Sequence, residues 1–104
     1  MRESVVNLIN MGKLPSEDND DVSLFGKYQE LIESIVPPLS KKEADSLVLL
    51  LGNDGCYGLT SAVIHLIESS SGFRINDFDE MEGNYGIDIL RTRASNVFDI
   101  KRPK

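Results

Sequence analysis

The sequence holds a single cysteine, a single histidine and no apolar run longer than the Leu-Val-Leu-Leu-Leu of residues 47 to 51. A lone Cys56 cannot close a disulfide within the chain, so the fold must rest on packing. A membrane span requires about 20 consecutive apolar residues, which excludes a membrane protein. The N-terminal MRESVVNLINMGK has neither the long apolar core nor the small-residue cleavage site of a signal peptide, and this points to the cytoplasm. Cations are also scarce. Eleven lysines and arginines stand against 17 aspartates and glutamates, a formal charge of −6. A nonspecific nucleic-acid binder or an anionic-membrane binder needs phosphate-neutralising cations, so the natural complement of this chain is a basic partner. The catalytic signatures G-x-x-x-x-G-K-[ST], G-x-G-x-x-G after a strand and G-x-S-x-G are all missing.

What remains is the make-up of one folded domain. At 104 residues, 40% hydrophobic and 27% charged, the chain can build a single core unaided. Val5, Val6, Leu8, Ile9 and Met11 recur at helical spacing over residues 2 to 12, ending near Gly12. The polar LPSEDNDDVS follows as an exposed, mobile loop. Leu24, Phe25, Tyr28, Leu31, Ile32, Ile35 and Val36 make one apolar face that Pro37-Pro38 terminates. Ser40 and Glu43 have the S-x-x-E form of a capping box, which predicts a third helix to Leu51, stopped by Gly52.

Asn53 or Asp54 is placed to cap a fourth helix running to about Ser69, with Tyr57, Leu59, Ala62, Val63, Leu66 and Ile67 inward. Residues 72 to 84 read as a loop with at most one short helical turn. Ile87, Leu90, Ala94, Val97 and Phe98 predict a last helix from about Tyr85 to Phe98, then a frayed tail over 99–104. No segment alternates over strand length between turn signals. The expectation is an all-α, compact single-domain bundle of four to five helices spanning residues 1–104, with exposed loops near 14–22 and 72–84.

The cysteine and the histidine both fall within LGNDGCYGLTSAVIHLIESSSG. On one helix Cys56 and His65 would lie about 13 Å apart along the axis and point to nearly opposite sides, so they cannot form a nucleophile–base pair. A cysteine at a helix N terminus can be reactive, but Cys56 reads as a structural thiol. His65 and Glu68 share a face at i, i+3. Such a pair can ligate metal when another helix supplies a second pair, and the chain has no further histidine and no C-x-x-C. Their expected role is at an amphipathic edge, with Glu68 pairing to Arg91 or Arg93. Asp54 reads as a cap, and the glycines of GNDGCYG as punctuation more than an anion cradle, since no cation lies among them. No cofactor and no metal are expected.

Two acidic clusters are left: Glu17, Asp18, Asp20 and Asp21, and Asp77, Asp79, Glu80 and Glu82. Neither meets the EF-hand pattern. Solvated loops explain both. The sharper reading gives the second cluster a basic protein partner, with Asp77, Phe78, Asp79, Glu80, Glu82 and Tyr85 as the contact set and Phe78, Met81 and Tyr85 as apolar anchors.

The blocks LLLGNDGCYGLTSAVIHLIESS and NYGIDILRTRASN resemble a set of small helical bacterial proteins. In these an aspartate- and glycine-rich turn leads into G-L-x-x-x-[LV]-[LI]-H-L-I-E, and a later helix carries [IV]-x-[LI]-L-R-x-R-x-x-N. The matching positions are Asp54, Gly58, Leu59, His65, Leu66, Ile67, Glu68, Leu90, Arg91, Arg93 and Asn96, with Tyr85-Gly86 standing where a tryptophan is usual. Such proteins resemble the acidic immunity proteins encoded beside bacterial toxins, including those of contact-dependent growth inhibition. The resemblance implies a cytoplasmic protein that binds a cognate toxin domain, often a basic nuclease, and occludes it without chemistry of its own. Two other classes fit the residues: an adaptor or structural subunit of a larger assembly, and an enzyme or metal-binding protein using His65 with Glu68.

Overall fold

Proline and short polar side chains set the bounds of the second helix and the starts of the third and the last. Asp21 accepts from Leu24 N and Ser23 Oγ at the start of α2 (Val22–Ser34), and the Pro37-Pro38 pair leaves Ile35 extended at its end. At α3 (Lys41–Val48) the capping box is complete: Glu43 N donates to Ser40 Oγ at 3.1 Å, and Ser40 N donates to Glu43 Oε1 at 3.0 Å. With α1 (Glu3–Asn10), α4 (Leu59–Glu68) and α5 (Tyr85–Lys101), and single 3-10 turns at Cys56–Gly58 and Ile75–Phe78, these make up the fold. The computed structural model describes residues 1–78, 81 and 84–101, with side chains through Ala94 in the last segment. Among the described residues there is no strand, and the chain is an all-α, compact single-domain bundle.

The core forms where α4 lies against α3, α2 and α5, with α1 packed on α2 and α3. A helix wrapped on several sides should be apolar nearly all round. Accordingly Leu59, Val63, Ile64, Leu66 and Ile67 of α4 are buried and only Ser61 and His65 are exposed. Facing them are Val5, Leu8, Tyr28, Ile32, Leu47, Val48, Leu51, Ile87 and Leu90. Tyr28 is 2% exposed, and its hydroxyl lies 2.9, 2.9 and 3.0 Å from the carbonyl oxygens of Met11, Gly12 and Lys13. It thus collects the unsatisfied carbonyls beyond α1, where Gly12 takes a left-handed φ of 86°.

Several elements depart from their predicted bounds. The third helix stops at Val48 instead of Leu51, because the carbonyls beyond it are turned outward to other partners. Leu50 O accepts from Leu14 N (2.9 Å), Leu51 O from Asn84 Nδ2 (2.9 Å) and Gly52 O from Gly86 N (3.2 Å). Asn84 also accepts from Ile87 N at 3.0 Å, so one side chain caps α5 and ties it to the α3–α4 connection. The last helix continues beyond Phe98 to Lys101. The fourth begins at Leu59, after a turn that changes the placement of several candidate residues.

Candidate functional site

The turn before α4 is left-handed at three successive residues, Cys56 (φ 47°), Tyr57 (φ 52°) and Gly58 (φ 91°). Glycine adopts this conformation freely. For Cys56 and Tyr57 it costs on the order of 1 kcal/mol each, and the surroundings offset that cost. Asp54 accepts from Cys56 N (2.9 Å), Glu17 N (3.0 Å) and Ser16 Oγ (3.0 Å). Glu17 returns the contact: Tyr57 N donates to its carboxylate at 2.7 Å, and the Tyr57 hydroxyl donates to its carbonyl at 3.0 Å. The loop expected to be mobile is therefore clasped to the turn at residues 16 and 17.

Asp54 is thus not the cap of the fourth helix, and neither is Asn53; Gly58 occupies that position, with no side-chain cap. The left-handed turn separates Asp54 from the helix, and its carboxylate binds the 16–17 loop instead. The Glu17 amide above all, with the Cys56 amide and Ser16 hydroxyl adding to it, holds the Asp54 pKa below its ordinary value although burial, second in size, opposes them. Tyr57, expected inward, is 68% exposed for the same reason. The signal was in the sequence: two glycines within four residues of G-C-Y-G punctuate the chain as a turn. Anion binding here is also disfavoured, because the Cys56 and Tyr57 amides already donate to carboxylates of the chain itself.

Cys56 is 1% exposed. Burial, with the Asp54 and Glu17 carboxylates adding to it, pushes its thiol up to about 11. At pH 8 only about one thiol in a thousand is then ionised. Iodoacetamide is expected to leave the native protein unlabelled and to label it promptly in concentrated urea; fast labelling of the folded form would contradict a buried structural thiol. Because the folded value lies above the ordinary 9.0, this group favours folding below about pH 9, and that contribution disappears as pH rises toward 11.

His65 is 65% exposed on α4, with Nδ1 3.9 Å from Glu68 Oε1. Glu68 is held across the α4–α5 interface by Arg93, whose Nε and Nη2 donate to its two oxygens at 2.9 Å each. This bidentate bond raises the Arg93 pKa. Of Arg91 and Arg93, the partner is therefore Arg93. Arg91 donates instead to Phe78 O at 3.2 Å and pairs with Asp88 at 3.5 Å, fastening the preceding loop onto α5. His65→Ala should shift the unfolding free energy by no more than about 0.5 kcal/mol, as read by thermal denaturation. Among the described residues no group of three His, Cys, Asp or Glu side chains is placed to hold a metal ion.

In the second acidic cluster, Asp77 forms an ion pair with Lys41 at 2.8 Å, and Lys41 also reaches Asp45 at 2.7 Å. Phe78 stacks on Phe73 with centroids 5.9 Å apart, and both it and Met81 pack half-buried against the core. Asp79, Glu80 and Glu82 lie outside the described residues. Tyr85 is 44% exposed, and its hydroxyl stands beside the Gly55 turn. Lys41, Lys42, Asp45, Ser46, Leu49 and Phe78 line a shallow open groove on this side. No helix among the described residues is long and apolar enough to cross a membrane. Comparison with protein-family models, with curated proteins and with solved structures finds no match.

Proposed function

We propose that this chain is an immunity protein, which binds a cognate toxin domain with a basic surface, most simply a nuclease, and blocks it by covering its active cleft. The reading places it in the cytoplasm, without catalytic activity, cofactor, nucleic-acid ligand or membrane attachment. The observation that carries it is the contrast between the chain's reactive-looking groups and its acids. Cys56 is sealed in the core, Glu68 is neutralised by Arg93 and His65 has only Glu68 beside it on an exposed helix face, whereas Asp18, Asp20 and Asp21 are exposed on a chain of charge −6. Such a surface speeds encounter with a cationic protein, and apolar contacts then hold the complex.

Asp77, Phe78 and Tyr85, with Asp79, Glu80 and Glu82 of the same segment, form the contact set that the sequence suggests. The test is co-expression with the C-terminal domain of a large protein encoded by the adjacent reading frame. Restored growth and a co-purifying complex are the expected results. Failure of this protein to protect or bind, or an enzymatic activity lost in His65→Ala, would overturn the reading.

A further inference from the structure

We infer that the docking face is the tyrosine-bearing turn around Gly55, where Tyr57 and Tyr85 receive arginine or lysine side chains of a basic protein partner. Two exposed aromatics flank this turn, Tyr57 within it and Tyr85 with its hydroxyl beside Gly55. Tyr57 is 68% exposed and yet fixed at three points: by its amide to the Glu17 carboxylate, by its hydroxyl to the Glu17 carbonyl, and by a T-shaped contact of its ring with Phe25, centroids 5.1 Å apart. A rigid, solvent-facing tyrosine loses little conformational freedom on binding, and tyrosines of this kind dominate protein interfaces. Its left-handed backbone would suit glycine better, and so large a ring at so exposed a place adds little to the core. Tyr85, 44% exposed, brings its hydroxyl 4.0 Å from the point where a Cβ would project from Gly55, and the Glu17 carboxylate stands 3.9 Å from the same point. Glycine here leaves a notch open between the ring of one element and the carboxylate of another.

Charge selects the occupant. Segments 16–22 and 53–58, which the clasp brings together, carry Glu17, Asp18, Asp20, Asp21 and Asp54 and neither lysine nor arginine. Lys27 of α2 acts on Asp21 from the side. Aromatic faces beside carboxylates accept a guanidinium or ammonium group by cation–π attraction and charge pairing together, whereas a phosphate-bearing surface would be repelled. This assignment rests on the proposal of a basic protein partner, but of the contact set the sequence suggests it keeps Tyr85 alone, and it centres the interface on the turn and the 16–21 loop, away from the Asp77–Lys41 pair.

Calorimetric titration with the toxin domain encoded by the adjacent reading frame tests it, using wild type, Tyr57→Gly, Gly55→Lys and Asp77→Lys. Gly55 has φ −73°, a conformation open to any side chain, so Gly55→Lys fills and neutralises the notch with the fold intact. Tyr57→Gly relieves the left-handed strain as it removes the ring. Both are expected to raise Kd by about 30-fold or more with melting temperatures close to wild type, while Asp77→Lys changes Kd less than about threefold. Should Tyr57→Gly and Gly55→Lys bind like a wild type that does bind, the partner reading survives and this face does not. A wild type that fails to bind removes both.

Discussion

Glu43→Ala is expected to destabilise the protein by about 3 kcal/mol, lowering the thermal midpoint by on the order of 10 °C. The Glu43 carboxylate is 3% exposed and accepts four hydrogen bonds, from Ser40 N (3.0 Å), Arg2 Nε (3.0 Å), Arg2 N (3.2 Å) and Arg2 Nη2 (3.3 Å). The same arginine donates to the carbonyls of Val36 and Pro38. One carboxylate thus completes the cap of α3 and anchors the start of α1, and the proline turn is held through Arg2. The Ser40 amide first, then Arg2, hold its pKa down to about 2, burial opposing them.

The pH dependence follows from that direction. A carboxyl depressed from 4.5 to about 2 favours folding in full above about pH 4.5, and this contribution disappears as pH falls toward 2. Thermal unfolding followed by circular dichroism should therefore show a gap between wild type and Glu43→Gln that is constant from pH 7 to about 5 and closes on further acidification. A gap independent of pH would mean that Glu43 acts by shape alone.

Gly86→Val should cost about 3 kcal/mol, near the upper end for overpacking. A Cβ at Gly86 would lie 2.7 Å from Leu51 Cβ and 3.3 Å from Leu51 Cγ. Leu51 is fully buried, and the clash falls on its stem, so it cannot swing aside. The start of α5 would have to lift, loosening the Gly86 N to Gly52 O and Asn84 Nδ2 to Leu51 O bonds. Gly26 provides the contrast. It sits within α2 with nothing within 4 Å of a Cβ, so Gly26→Ala should add about 0.5–1 kcal/mol of stability. Urea unfolding of the two variants measures both; equal effects at the two glycines would contradict the close approach of α5 to Leu51.

Legibility followed sequence distance. The capping box of Ser40 and Glu43 could be read because both halves lie within one helical turn, and the stop at Pro37-Pro38 because proline acts on its immediate neighbours. The apolar faces of α2 and α4 were visible by period within the helices, but not at their ends: Val36, expected on the α2 face, lies beyond Ser34 and is 71% exposed, and Tyr57, before α4, is exposed too. The Glu68–Arg93 pair was legible as one of two alternatives, since residues 91 and 93 lie on one later helix and only docking chooses between them. Arg2 could not be seen as the partner of Glu43, 41 positions away. Nor could the Glu17–Tyr57 clasp, 40 positions apart; without it, helical spacing alone points Tyr57 inward and puts Asp54 at a helix start.

By itself the sequence determined an all-helical chain, the proline stop of α2 and the capping-box start of α3, most of its buried stripes and its acidic character, because these depend on residue type, on spacing within a few turns and on summed charge. The tertiary structure alone decided which carboxylates are bound internally, which tyrosines face solvent and where the third helix ends. Those outcomes depend on bonds between residues 33 to 41 positions apart, whose geometry exists only once the helices have packed.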